Sequence, residues 1–513
     1  MRTVIICLLF FFKIFGEFSW SLPSKILSPA GSNASSPQVK MDNYGNVICL
    51  WLRSYAGKKR IERTISNDYG VSWNDNVFIT SETIDVVYFK LAMNDSGQIS
   101  LCCQPDPGMF GSNLYAYYSI DYGLTWNYST SLDDSADNLS MSMDKYGKVL
   151  VAYDRVTNIM VRVSSSYNGG KNWHIGVHDT TGDRQIAKIV MNDNNQAVLL
   201  YQETFFAKLC RSYATYTTSW HFSSEFIFSE AAPGGDLKMN DSGFVIYSSC
   251  KSGVHNESVE LHSTDAGENF SSLYYLSELG FYVQLDSQRC AIDQNGYASV
   301  VWEIFDGANN IVQERHTTDY GNSWSESCYL SEEGQSAWDT VISSDKFGNT
   351  FVSWYRSNGT NNIRQVRWTL DKGNTWSEIL DASEAGQNAG VGDMAMNLTG
   401  YVMLTFLRSD GSHHLVNIVT GSWYDSSIGI KTNLIKENID FFLTRELICN
   451  LEWNDNPFAV KYNLYKDKDL TILLSSTTKL QYPIHNAKIG NRYFLTWEDY
   501  MGEQRDKTTI FVK

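Results

Sequence analysis

An eight-residue pattern that recurs along the chain constrains the fold more than any other feature. Ser119 to Trp126 reads S-I-D-Y-G-L-T-W, and Ser66 to Trp73 reads S-N-D-Y-G-V-S-W. Thr317 to Trp324 and Thr369 to Trp376 repeat it as T-T-D-Y-G-N-S-W and T-L-D-K-G-N-T-W. Looser copies run from Ser166 to Trp173, with Asn168 in place of the acid, and from Ser263 to Phe270. Each residue type has a job in a tight strand-to-strand turn. The hydroxyl and the carboxylate accept bonds from turn amides, the Gly supplies positive φ, and the ring packs underneath.

These residues resemble the Asp-box, or bacterial neuraminidase repeat, family of β-propellers. The resemblance implies that Asp68, Asp121, Asn168, Asp265, Asp319 and Asp371 are turn residues rather than catalysts.

A second signal runs in phase with the first. Alternating apolar residues lead into a polar turn at Gly45, Gly97, Gly147, Asn195, Gly243, Gly296, Gly348 and Gly400, positions 48 to 53 residues apart. In most copies an Asp or Asn stands three residues before the Gly. The aromatic series Trp73, Trp126, Trp173, Trp220, Phe270, Trp324, Trp376 and Trp423 keeps the same period. Units of about 50 residues with four short antiparallel strands each are the mark of propeller blades. The fold class expected is all-β: an eight-bladed β-propeller of four-stranded antiparallel blades, with seven blades as the alternative, plus a small β-sandwich domain. The segment Ile26-Leu-Ser-Pro-Ala30 resembles the outer strands of the repeats and is expected to supply that strand to the last blade.

The domain organisation expected is a signal peptide over 1–21, the propeller over 22–427 and a β-sandwich over 428–513. Arg2 and the apolar run Val4 to Phe12, followed by Ser19-Trp20-Ser21, read as an export signal. The tail pattern, with Trp453, Val460-Lys-Tyr-Asn-Leu-Tyr465 and Tyr493-Phe-Leu-Thr-Trp497, resembles a fibronectin type III module. Localisation is therefore expected to be exported: secreted, periplasmic or cell surface. Cys49, Cys102, Cys103, Cys210, Cys250, Cys290, Cys328 and Cys449 follow the signal without a small-domain disulfide spacing, so most read as buried thiols. No metal-ligand spacing and no cofactor motif is present, so neither a metal nor a cofactor is expected.

A net charge of −16 argues against nucleic acid as a partner, and no later apolar stretch suits a membrane span in the mature chain. The partner expected is a protein or a glycan. If Asp-boxes join the third and fourth strands, they share a face with the Gly-closed turns, and ligands belong on the opposite loops. There Arg53, Arg155, Arg356 and Arg408 each stand eight residues past a turn Gly, at the end of the second strand. They are candidate ligand-binding residues for a carboxylate or phosphate, or else structural partners of nearby acids. Asp85, Asp137, Asp183, Asp236, Asp286, Asp339 and Asp393 precede the first strands and would ring a channel mouth, as strand caps or as ligand groups.

The sialidases of this family use an arginine triad, a Tyr–Glu pair and an acidic Asp, but their Arg-Ile-Pro signature is missing. The function expected is an exported, non-enzymatic recognition protein. The alternative is a sialidase-like or other carbohydrate-active glycoside hydrolase, with Arg53, Arg356 and Arg408 for an anionic sugar.

Overall fold

The computed structural model describes residues 18–106, 112–157, 159–180, 184–203, 208–216, 220–229, 235–253, 255–278, 280–398, 400–422, 431–435, 448–452, 461–466, 473–477, 479, 481–485, 492–498 and 504–511. The apolar run of the expected signal, Asp183, Trp423 and Trp453 lie outside them. Among the described residues there is no helix, and hence none able to cross a membrane.

Residues 21–420 form one compact body of antiparallel sheets. The pattern is clearest in the first sheet, where Ala34–Met41, Val47–Tyr55, Lys58–Ser66 and Val77–Phe78 pair in chain order. The same meander recurs up to the sheet of Ala389–Met396, Tyr401–Ser409 and His414–Ser422. One long strand, Asn127–Met143, ends one meander and begins the next, so those two share a seven-stranded sheet. Lys25–Ile26 pairs with His414–Ser422 through Ile418 and Asn417, and Leu27 N donates to Val416 O at 2.8 Å. The chain start thus forms an outer strand on the last meander, where Ile26-Leu-Ser-Pro-Ala30 was expected to lie.

Why the strands are strands follows from their burial. Second strands such as Val47–Tyr55, Ile99–Pro105 and Val149–Arg155 carry near-continuous apolar runs, because both of their faces are covered by neighbouring sheets. The core is a series of apolar layers between consecutive sheets. One layer joins Ile48, Leu50 and Ile61 to Phe89, Ile99 and Leu101. Another joins Val39, Cys49 and Trp51 of the first sheet to Met403, Val416 and Ile418 of the last. The first strands pack on one another in sequence order, and Ala389–Met396 packs back on Ala34–Met41. Cys102 and Cys103 point to opposite faces of one strand and are both fully buried, and each is a free thiol.

Residues 1–20 and 421–513 make up a second body. In it, Lys431–Ile435, Ile448–Glu452 and Gln481–His485 form a three-stranded sheet. A four-stranded sheet runs in the order Leu473–Thr477, Lys461–Tyr465, Arg492–Glu498, Gln504–Phe511. Tyr462, Leu464, Tyr493, Leu495 and Trp497 are buried on the latter.

The turns explain the sequence motifs. In most of the first turns an Asp or Asn accepts from amides two and four residues on, as Asp42 does from Tyr44 N (2.9 Å) and Asn46 N (2.8 Å). Neighbouring turns are tied together. Asn43 N donates to Asp95 at 3.0 Å, Lys145 N to Asp193 at 2.8 Å, and Leu398 N to Asn43 at 2.9 Å. The turns of the eight-residue repeat lie beside these first turns, since Tyr69 N, Tyr122 N and Tyr320 N donate to Gly45 O, Gly97 O and Gly296 O at 2.9–3.0 Å. Gly45 is required twice over: its φ is +90°, and a Cβ there would lie 2.6 Å from the Tyr69 ring. The Asp-box itself needs two successive left-handed residues, Tyr122 (φ 58°) before Gly123 (φ 85°), where the sequence suggested only the Gly.

Candidate functional site

The acids of the eight-residue repeat are wholly engaged in their turns. Asp121 Oδ1 accepts from Ser119 Oγ at 2.7 Å and Thr125 N at 2.9 Å, while Oδ2 accepts from Thr125 Oγ1 at 2.6 Å. Trp126 Nε1 closes the turn on Gly123 O at 3.0 Å. Asp68, Asp319 and Asp371 accept the same set, Asp265 takes Asn269 Nδ2 in place of the hydroxyl, and Asn168 accepts from Asn172 N and Ser166 Oγ through its one oxygen. Partial burial alone would raise the Asp121 carboxyl, but the bonds from Thr125 and Ser119 outweigh it and hold the pKa below the usual value. Asp121→Ala should cost about 1–2 kcal/mol in a denaturant melt, and Asp121→Asn less than half of that, because Asn168 already serves in this role. Equal losses for both variants would contradict the assignment.

The four loop-side arginines are each matched to a carboxylate. Arg53 Nη1 lies 2.7 Å from Glu62, and its Nε donates to Ser32 Oγ at 2.8 Å. Arg155 Nε lies 2.8 Å from Asp133, Arg356 Nη2 2.8 Å from Glu332, and Arg408 Nε 3.4 Å from Glu384. A ligand anion would have to displace one of these acids. Of the acids expected ahead of the first strands, Asp85 and Asp286 do precede them. Asp137, Asp236, Asp339 and Asp393 lie within them, because the strands begin earlier than the sequence suggested. These acids act largely as staples. Asp236 accepts from Cys290 N (3.2 Å), Asp339 from Gly392 N (3.0 Å) and Asp393 from Val39 N (3.0 Å). In every case the donor is on the first strand of the next meander, and the last bond returns from chain end to chain start. Asp85 accepts from Lys59 N at 2.7 Å, and Asp137 from Asn138 N at 2.8 Å. Asp286 takes φ +58°, and Arg289 donates to its carbonyl.

The first strands enclose a cavity of about 720 Å³. Its wall includes Gln38, Lys90, Ser140, Lys188, Asp236 and Asp393, each seven residues ahead of its turn Gly or Asn195. Gln38, Lys90, Lys188 and Asp393 sit at the middle of their strands, and Asp236 opens its own. Register shifts mark most of these strands just before the wall, between Ser35 and Gln38, Asp137 and Leu139, Gln185 and Lys188, Trp338 and Val341, and Ala389 and Gly392. Bulges of this kind re-aim side chains and gather at sites. The lysines of this wall are not among the repeated Arg and Asp positions. The parity of a strand that points every second residue to one face held the signal, since Lys40 and Lys238 share the face of Lys90 and Lys188.

Beside the wall lies a buried acid–base group. Arg364, with no exposed surface, donates to Asp339 Oδ2 at 2.8 Å and Ser353 Oγ at 2.9 Å. Glu303, 6% exposed, accepts from Thr340 Oγ1 at 3.0 Å. Its pKa is pushed up to about 6, first by burial, with Asp339 adding repulsion against the Thr340 bonds. No group of three or more His, Cys, Asp or Glu among the described residues is arranged to hold a metal ion.

No family model matches the chain, and no curated protein matches it. Among solved structures it is similar to a Hadza microbial sialidase at 12% identity and a TM-score of 0.36, over 75% of this chain and 65% of that one. It is also similar to the α-L-arabinofuranosidase Arb93A of Fusarium graminearum, at 13% identity and a TM-score of 0.39, over 65% and 92% of the two chains. A third is a polysaccharide lyase of family PL25, an ulvan lyase, at 7% identity and a TM-score of 0.45, over 75% and 93%. Each of these is named for a carbohydrate-cleaving activity. The chain spans about two thirds of the sialidase.

Proposed function

We propose that the protein is an exported, eight-bladed Asp-box propeller followed by a fibronectin type III-like module, and that it recognises a glycan in the cavity framed by its first strands. The cavity carries this reading. A concave space of about 720 Å³ suits a small polar ligand better than the flat surface of a protein. Its wall offers Gln38, Ser140 and the lysines as donors and Tyr88 as a ring, the mixture a saccharide requires. Glycan-array binding by the full chain tests it. Tyr88→Ala should weaken any hit at least tenfold, and an array with no hits, or hits indifferent to Tyr88, sinks the reading.

One observation favours the alternative, a glycoside hydrolase. Glu303, a carboxyl pushed up to about 6 by burial beside the Asp339–Arg364 pair, has the character of a general acid. The arginine route to sialic acid draws no support from Arg53, Arg356 and Arg408, since each is matched to an acid. A panel of fluorogenic glycosides, a sialoside included, separates the readings. Turnover lost at least a hundredfold in Glu303→Gln establishes hydrolysis, and binding without turnover by the parent chain leaves recognition.

A further inference from the structure

The cavity wall is electrically lopsided. Its three acids are each engaged by a cation: Asp393 by Lys40 at 3.6 Å, Asp236 by Lys238 at 2.9 Å and Asp339 by Arg364 at 2.8 Å. Lys90 and Lys188 line the same cavity with no ion pair or hydrogen bond to their ammonium groups among the described residues. Lys90 has only the Tyr88 ring, at 5.4 Å. Ser140 lies on the strand between theirs, and its Oγ accepts from Ile189 N at 3.1 Å, so its own O–H remains to donate.

We propose that Lys90, Ser140 and Lys188 form a binding site for a sulfate or phosphate group. Two ammonium groups and a hydroxyl in one recess match a doubly charged oxyanion with several acceptor oxygens. The electrostatics favour occupation. Burial depresses the Lys188 pKa, and Lys90, Arg289 and Lys238 push it further against the pull of Asp236. Arg289 itself donates to the carbonyls of Asp286 and Gln288 and offers no anion to offset that repulsion. Unlike the surface, which is acidic overall, this arc concentrates positive charge.

The inference rests on the cavity being the ligand site, and it names the group that the cavity selects. It is tested by titrating the full chain with sodium sulfate, sodium phosphate and glucose 6-sulfate in low-salt buffer, with glucose as the uncharged control. At least one charged probe should bind with unit stoichiometry. Lys90→Met with Lys188→Met should weaken it at least tenfold, and Lys145→Met, which removes a lysine paired with Asp193 at a first turn, should leave it unchanged. Lys90→Met alone should weaken binding severalfold and keeps the test open if the double variant unfolds. Tighter binding of glucose 6-sulfate than of sulfate assigns the site to a sulfated sugar, and equal binding assigns it to the free anion. Absence of binding by all three charged probes, or a double variant that binds like the parent, overturns the proposal. Array glycans that bind through Tyr88 while ignoring the lysines would overturn it too, but leave the glycan reading standing.

Discussion

Replacing Arg364 by alanine should destabilise the protein by about 3–5 kcal/mol, the range for breaking a buried ion pair by removing one partner. The guanidinium has no exposed surface. Its Nε donates to Ser353 Oγ, its Nη1 to Asp339 Oδ2 and to the Asp339 carbonyl, and its Nη2 to the Ser353 carbonyl. Alanine would leave Asp339 without its counter-ion, take one donor from each of the two carbonyls, and open a void between tightly packed strands. The loss would spread across a sheet boundary, because Asp339 Oδ2 also accepts from Gly392 N on the next first strand. Burial lowers the Arg364 pKa, and Asp339 is the largest of the groups that pull it back up. A denaturant titration of the alanine variant decides the matter, and a loss under 1 kcal/mol would refute the account. Arg364→Met combined with Asp339→Asn should recover most of the stability, since a pair removed together leaves no stranded charge.

The two periodic signals made the meanders and the Asp-box turns legible, because they depend on local chemistry alone. An Asp four residues before a Ser or Thr amide, with a Gly between them, can close a turn without help from elsewhere. Arg364 was invisible for the opposite reason. In sequence it is one more basic residue of a third strand, and only the bulge at Trp338 to Val341, with Asp339 at φ +55°, puts an acid beside it. The strand-end arginines were legible as a repeated position, but their partners were not. Glu62 and Asp133 come from a third strand and from within a long strand, and only the loop acids Glu332 and Glu384 keep one offset from their arginines. The cavity lysines stood at a readable spacing, but their lack of partners depends on which acids Lys40, Lys238 and Arg364 occupy, and that is tertiary information.

Stability should fall as the pH rises from about 4 to about 6, and Asp345 should be the largest single cause. Burial pushes its pKa from 3.8 up to about 6, even though Asn349 and the amides of Phe347 and Asn349 bond to the charged form. Between these two values the folded chain holds a proton that the unfolded chain has released. The native state therefore binds more protons, and stability declines with pH across that window. A displacement of about two pH units corresponds to roughly 3 kcal/mol. Glu303, pushed from 4.5 to about 6, adds a smaller loss of the same sign over pH 4.5 to 6. The Asp-box acids, with depressed pKa values, act oppositely, but only as the pH falls below about 4. Asp345→Asn isolates the effect, because Asn94, Asn192, Asn240 and Asn397 fill the equivalent turn position and accept the same amides. The variant should match the parent near pH 4 and exceed it at pH 7 by up to about 3 kcal/mol, the cost of ionising a buried carboxyl. It requires Asn349 to turn its amide so that oxygen meets the new Nδ2, as Gln98 does for Asn94 at 2.8 Å. Denaturant melts of both chains across pH 4 to 7 measure the two slopes. Parallel slopes would mean that the Asp345 carboxyl loses its proton as readily in the fold as outside it.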